Sequence, residues 1–475
     1  MEIKAAPDDL AIPGSTVIVG MMEGLVPAPG SEAIIASIDE AHFSVNRFEA
    51  KTGQMIKVPL DDRSTALVVG LGAEVSFESI RSAAGSAIRA VSTPETIVRL
   101  AMIPVDGAIR AVAEGILLGG YRFREYKTDD AERPSVETAH IVGAEGERLV
   151  AVEIVAAATN RVRDWVNRPA ADKSPDQFAS WISEDAPEPV SVEIWDEERI
   201  AEEKLGGLLG VAAGSDRPPR LVILQYRPEP AGPHLALVGK GIMFDTGGLS
   251  IKPAKSMETM KSDMAGAAAV AAATFAIARL GLAVTVTTVI PLTDNALGSG
   301  STRPGDILWP AAGPSIEVLN TDAEGRLILA DGLGLARRFD PDLLVDMATL
   351  TGSAPVALGK SVGAVLGPDP EVNGRLLAAA GRAGEHLWEL PLFLPYLKDL
   401  DSEIADIKNV TGSRYGGTIT AALFLSRYAG DGDWAHVDIA GPAMSTEAGG
   451  EQVKGATGFG VRTLVELAKS MVEGA

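Results

Sequence analysis

Two apolar, small-residue stretches of this chain carry charges that a folded interior accepts only under strict conditions. Val238 to Ala269 reads VGKGIMFDTGGLSIKPAKSMETMKSDMAGAAA, and Asn320 to Leu327 reads NTDAEGRL. Lys240, Asp245, Lys252, Asp263, Asp322, Glu324 and Arg326 stand in them among Gly, Ala and aliphatic residues. An isolated charge is costly to bury, whereas one held against a partner or a metal ion is not. The pattern predicts a buried ionic site, read here as a pair of divalent metals. With 475 residues the chain is long enough for two domains, each with a sizeable core.

Composition removes several classes of function. Lys and Arg number 42 against 64 Asp and Glu, a formal charge of -22. Such a surface repels phosphate backbones, so no nucleic-acid partner is expected. The chain has no Cys, which excludes disulfides, thiolate zinc sites and Cys nucleophiles. The N-terminus, MEIKAAPDDLAIPG, is acidic and broken by Pro, unlike a signal peptide. The uncharged run Met264 to Ala278 is shorter than the roughly 20 residues a membrane span needs. A soluble cytoplasmic protein is expected, with no membrane partner.

Alternating strand and helix signals give the fold class: α/β, with a smaller N-terminal α/β domain and a larger C-terminal catalytic domain. Ser15 to Met22, Thr65 to Gly72 and Ile97 to Pro104 read as strands, and Phe77 to Val91 and Ala108 to Leu118 as helices. The Gly70-Leu71-Gly72 turn lacks the third Gly of a dinucleotide fingerprint, Val75 standing there, so it reads as a plain turn. Residues 1–150 form the first domain in this reading, 151–168 a connecting helix, and 169–475 the catalytic domain. The Pro-rich NRPAADKSPDQF after the helix marks the boundary. Beyond it RLVILQYRP, HLALVGKG, AVTVTTVIPL, DLLVDMATL and AHVDIAGPA read as strands. Ser262 to Leu280 and Ala330 to Arg338 read as helices, so a central mixed sheet flanked by helices follows. Sites in such folds gather at the carboxyl ends of strands, where Lys240, Asp245, Asp346 and Asp438 stand.

The residue chemistry narrows the site. A phosphate loop fails twice at Gly239-Lys240, because His234 and Gly241 occupy positions that need Gly and Ser or Thr. The five His include no pair at i, i+4, so a metal site must rest on carboxylates with one amine at most. Hard oxygen ligands suit Mg and Mn, and Zn accepts carboxylates. Asp245, Asp263, Asp322 and Glu324 balance two dications. Lys240 could then bind metal only as a neutral amine. Asp322, Glu324 and Arg326 alternate and, if extended, share one side. Lys252 lies past the Gly247-Gly248 turn, within reach of the site. The bland alternative, surface acids and bases on loops, stays open in a chain of this charge.

KGIMFDTGGLSIK at Lys240 to Lys252, MKSDMAGAAA at Met260 to Ala269 and NTDAEGRL closely resemble the signatures of the leucine aminopeptidases, or cytosol aminopeptidases. VNRPAADKSP, RPGD, DMATLTGS, IADIKN, GGTITAALFL and WAHVDIAGPA add to the likeness. The resemblance implies a binuclear metallo-exopeptidase acting on peptides through a water activated between two divalent ions, Mn or Zn with Mg as a third candidate. It implies that Lys240, Asp245, Asp263 and Glu324 hold the tighter ion and Asp245, Asp322 and Glu324 the exchangeable one. Lys252 and Arg326 are the implied catalytic residues, Lys252 stabilising the oxyanion and Arg326 holding a bicarbonate general base. Met260, Thr349, Gly352, Ala440 and Ala443 match the pocket for the first side chain, Leu-like by its size, and Leu350 matches a backbone contact. A homohexamer, a dimer of trimers, is implied as well. The alternative on the same fold is a DNA-binding accessory or scaffold role, which the acidic balance disfavours.

Overall fold

The computed structural model describes residues 1–128 and 136–473. By contacts the chain forms two compact units: Met1–Asn160 with Ser445–Gly455, and Arg161–Met444 with Ala456–Ala475. The helix Gly146–Asn167 contains the division. The two-domain α/β architecture with mixed sheets, expected from the alternating pattern, is what is found.

In the smaller unit the spatial order of strands is Glu2–Ala6, Thr138–Val142, Glu95–Val98, Thr16–Met22, Thr65–Gly72 and Met55–Pro59. Pairing is parallel except at Met55–Pro59 and at the short Val26–Pro27 beside Thr16–Met22. Thr16–Met22 and Thr65–Gly72 are buried almost throughout, as parallel strands covered on both faces must be. Ile80, Ala84, Val112 and Ile116 pack on Ile18, Leu67 and Val98 on one face. Phe43, Phe48 and Ile35 pack on Val17, Val19 and Val68 on the other. The strand expected at Ile97 to Pro104 ends at Val98 and gives way to a 3-10 turn, Leu100–Met102. Arg99 draws the chain out of the sheet, its guanidinium donating to the carbonyls of Gly30 and Asp8.

The larger unit is built on a sheet of order His386–Glu389, Val362–Leu366, Trp434–Asp438, Leu343–Ala348, His234–Gly239, Thr285–Asn295, Arg220–Tyr226 and Val190–Trp195, with Gly241–Asp245 also on Thr285–Asn295. Its centre is parallel: His234–Gly239 pairs in parallel with Thr285–Asn295 and with Leu343–Ala348, which pairs likewise with Trp434–Asp438. Antiparallel pairs flank this centre on both sides. The parallel strands therefore bring Lys240, Asn295, Thr349 and Asp438 to one end of the sheet. Helix Ala265–Arg279 is buried from Ala265 to Ala278, which explains its Ala-rich composition and lack of a polar face. Leu329 and Leu333 of helix Gly325–Arg337 and Phe424 of helix Gly417–Ser426 join Ala236, Val238 and Leu344 in a second core layer. Helix Ala265–Arg279 lies within the expected Ser262 to Leu280, and Gly325–Arg337 ends one residue before the expected Arg338 but starts five residues before Ala330. Among the described residues no helix is long and apolar enough to cross a membrane.

Candidate metal centre

Lys240 separates the strands His234–Gly239 and Gly241–Asp245, and its N–H donates to Met347 O at 3.2 Å. Its Nζ lies 2.9 Å from Asp263 Oδ2 and 2.8 Å from Glu324 Oε1, and donates to Thr349 O at 3.0 Å. Lys252 Nζ lies 2.9 Å from Asp245 Oδ2 and 2.5 Å from Asp322 Oδ1. Oxygens of Asp245, Asp322 and Glu324 fall within 4.8 Å of one another. The two charged segments thus converge on one buried cluster, and the surface-loop alternative does not hold.

Local chain geometry explains each placement. Asp245 ends its strand, and its Oδ1 accepts from Gly247 N and Asn295 Nδ2, both at 2.8 Å. Gly247 and Gly248 then take φ of +86° and +61°, a turn that non-glycine residues resist. That turn returns the chain so that Lys252 N donates to Thr246 O at 2.9 Å. Asp263 follows the 3-10 turn Met260–Ser262 and precedes helix Ala265–Arg279, its Oδ1 accepting from Thr349 Oγ1 at 2.7 Å. The extended reading of 322–326 is corrected. Asp322 lies in a turn, Glu324 is the helix N-cap residue and Arg326 is in the first helical turn. Asn320 Oδ1 accepts from Asp322 N at 2.9 Å, a local bond that favours the turn over a strand.

Four carboxylates face two lysines here, so with every carboxyl ionised, as metal ligands must be, two negative charges are unmatched by the lysines. Burial pushes the Asp245 and Asp263 carboxyls up, and the neighbouring Glu324 adds to it. Burial also raises Asp322, with Asp245 adding to it. Burial would lower the Lys240 amine, but Asp263, Glu324 and Asp245 together hold it well above the usual lysine range. A neutral Lys240 amine, the form a metal ligand needs, therefore requires a dication whose field outweighs these carboxylates. Glu324 Oε2 is buried and has no hydrogen-bond partner among the described residues. A carboxylate-rich donor set with an unmatched double negative charge and an orphaned carboxylate oxygen fits divalent cations, whose field reverses these shifts. A narrow recess lined by Asn295, Thr321 and Leu327 among others reaches Glu324.

Arg326 is buried beside this cluster, and Nη1 donates to Asn409 O at 2.7 Å. Its Nε has no partner among the described residues, and its guanidinium lies 5.9 Å from the Phe424 ring centroid. Burial brings its pKa down to about 10, which leaves it cationic at neutral pH. Of the pocket candidates, Thr349 touches both Asp263 and Lys240. Leu350 N and Ala440 N converge on Asp438 Oδ1 at 3.2 and 3.0 Å. Met260 opens the turn that carries Asp263, and Gly352 is the N-cap of helix Ser353–Leu358. Ala443 is buried and its N–H bonds Ile439 O rather than Asp438. Three residues with no role assigned from sequence organise the site: Asn295, Asn409 and Asp438. Asn409 accepts from Leu319 and Asn320 and donates to Asn320 O, holding the NTDAEGRL turn. All three stand at or just after strand ends, which was the available signal.

Residues 160–465 match the profile described as cytosol aminopeptidase family, catalytic domain, and residues 18–130 match that family's N-terminal domain. The chain belongs to the cytosol aminopeptidase family. A probable cytosol aminopeptidase of Leifsonia xyli is 44% identical over 447 residues, 90% of each chain. One from Streptomyces avermitilis is 42% identical, covering 95% of this chain and 94% of its own. Among solved structures, the bottromycin maturation enzyme BotP in complex with Mn has a TM-score of 0.88 at 38% identity, covering 97% of this chain and 100% of its own. The Coxiella burnetii cytosol aminopeptidase has a TM-score of 0.86 at 28% identity, covering 99% of each chain. This aminopeptidase is thus a metal-dependent hydrolase whose substrates are peptides, and the DNA-binding accessory reading is not favoured.

Proposed function

We propose that this aminopeptidase releases Leu-like N-terminal residues, with two divalent ions held by the cluster above. Lys240, Asp245, Asp263 and Glu324 hold the tighter ion, Asp245, Asp322 and Glu324 the exchangeable one, and Asp245 and Glu324 bridge the pair. The observation that carries this reading is the unmatched double negative charge around the orphaned Glu324 Oε2. Bound there, the ions supply Lewis acidity to a water and to the scissile carbonyl. Lys240 serves as a ligand by giving up its Nζ proton, which a nearby dication favours. Mn and Zn are the candidates, with Mg third.

Lys252 is proposed as the oxyanion stabiliser: its ammonium spans Asp245 and Asp322, at the edge of the cluster where negative charge would develop on the carbonyl. Arg326 is proposed to hold a bicarbonate that acts as general base. Its unpartnered, buried Nε supports an anion there. Met260, Thr349, Gly352, Ala440 and Ala443 are proposed to line the first pocket, with Leu350 offering a backbone contact. A cytoplasmic homohexamer that does not engage nucleic acid completes the reading.

The test is metal-free protein resupplied with Mn, Zn or Mg and assayed on a panel of aminoacyl amides. Hydrolysis should vanish on chelation and return best with Mn or Zn on leucine amide. Lys252→Ala should lower kcat by about 10²- to 10³-fold. Full turnover in chelated protein, or an unaltered kcat in the Lys252 variant, would refute the reading.

A further inference from the structure

Lys173 is fully buried, yet among the described residues it has no carboxylate partner. Its Nζ donates to Trp165 O at 3.0 Å, Val166 O at 3.4 Å and Lys261 O at 2.8 Å, and lies 3.4 Å from Met264 Sδ. Lys261 answers in the opposite direction, its Nζ donating to Asn167 O at 2.6 Å. Trp165, Val166 and Asn167 are the last residues of helix Gly146–Asn167, so their carbonyls lack intrahelical donors and form the negative end of its dipole. Lys261 is the middle residue of the turn Met260–Ser262, which delivers Asp263 to Lys240.

We propose that Lys173 and Lys261 act as a reciprocal clamp, fastening the Asp263 turn to the helix end and so setting the position of this metal ligand. A helix cap alone would require Lys173 to reach only the helix carbonyls. The bond to Lys261 O, and the return bond from Lys261, tie that cap to the turn. Lys173 and Lys261 touch neither substrate nor ion; they are positioning residues, and their effect falls on the ion that engages Asp263. Asp322 belongs to a different turn, held by Asn320 and Asn409, and is independent of the clamp.

The inference rests on the two-ion reading above, and the experiment separates the two. Mn binding to the full chain is measured by competition with a chromophoric chelator in wild type, Asp263→Asn, Lys173→Met and Lys261→Met. The step lost in Asp263→Asn identifies the ion that Asp263 engages. Lys173→Met, which keeps the side-chain volume, should weaken that step by about 10- to 100-fold and leave the other within about threefold. Lys261→Met, a partly exposed site, should weaken the same step to a smaller degree and guards against misfolding of the first variant. Two unaltered steps in either folded variant, or equal loss from both steps, would overturn the clamp while leaving the two-ion reading intact. Wild type that binds no pair of ions would remove both.

Discussion

Asp438 is fully buried and accepts four hydrogen bonds, from the N–H groups of Leu350, Thr351 and Ala440 and from the Thr351 hydroxyl. Those bonds hold together the two loops that carry most of the proposed pocket. Asp438→Asn turns an amide donor toward backbone donors, and each buried donor left unpaired costs about 1–3 kcal/mol. Thermal stability should fall by that order, and KM for leucine amide should rise while two ions still bind. Calorimetry with steady-state kinetics checks this; unaltered KM would contradict it. Gly325 makes a different demand. A Cβ there would lie 2.5 Å from Lys240 Cε and 2.7 Å from its Nζ. Gly325→Ala should fold, because a flexible side-chain end can yield, yet bind the tighter ion more weakly in a chelator titration. Lys240, Asp245 and Glu324 were evident as charges in apolar sequence. Asp438 and Asn409 carried no such mark, since one acid or amide at a strand end has many structural uses.

At the level of elements, the buried Lys173 joins helix Gly146–Asn167 to the turn Met260–Ser262. Burial, with repulsion from Lys261 and Arg168, brings its amine down to about 7 from an ordinary 10.5. Between those two values the unfolded chain binds more protons than the folded one, so stability rises with pH across that window. The full span is on the order of 5 kcal/mol. Urea unfolding at pH 7, 8 and 9 should show this rise in wild type and lose it in Lys173→Met. Equal slopes in the two proteins would contradict the assignment. Helix positions were legible because period and composition agree over long runs, as in the Ala-rich stretch from Ala265. Where a side-chain hydrogen bond competes, long-range at Arg99 and local at Asn320, the expected extended segments bend instead.

For the whole molecule, the division into two units predicts two unfolding transitions in calorimetry. A ligand that binds only the folded larger unit should move that unit's transition. Mn at about a hundred times its Kd adds roughly 2.7 kcal/mol to stability. Chelation should lower the same transition, and identical scans with and without Mn would count against the site. The formal charge of -22 acts at this scale too. No shift of duplex DNA should be seen even at low salt, where electrostatic attraction is strongest.

The sequence by itself determined the α/β class, the strand and helix alternation and the identity of the charged side chains. These are local properties, set by side-chain period, turn residues and the cost of burying charge. Tertiary structure alone decided which charges meet: Lys240 with Asp263 and Glu324, and Lys252 with Asp245 and Asp322. It also decided the supporting bonds from Asn295, Asn409, Asp438 and Lys173. Except for Lys252 with Asp245, which the Gly247-Gly248 turn joins across seven positions, the charge pairs join residues more than twenty positions apart, brought together at the carboxyl ends of the parallel strands.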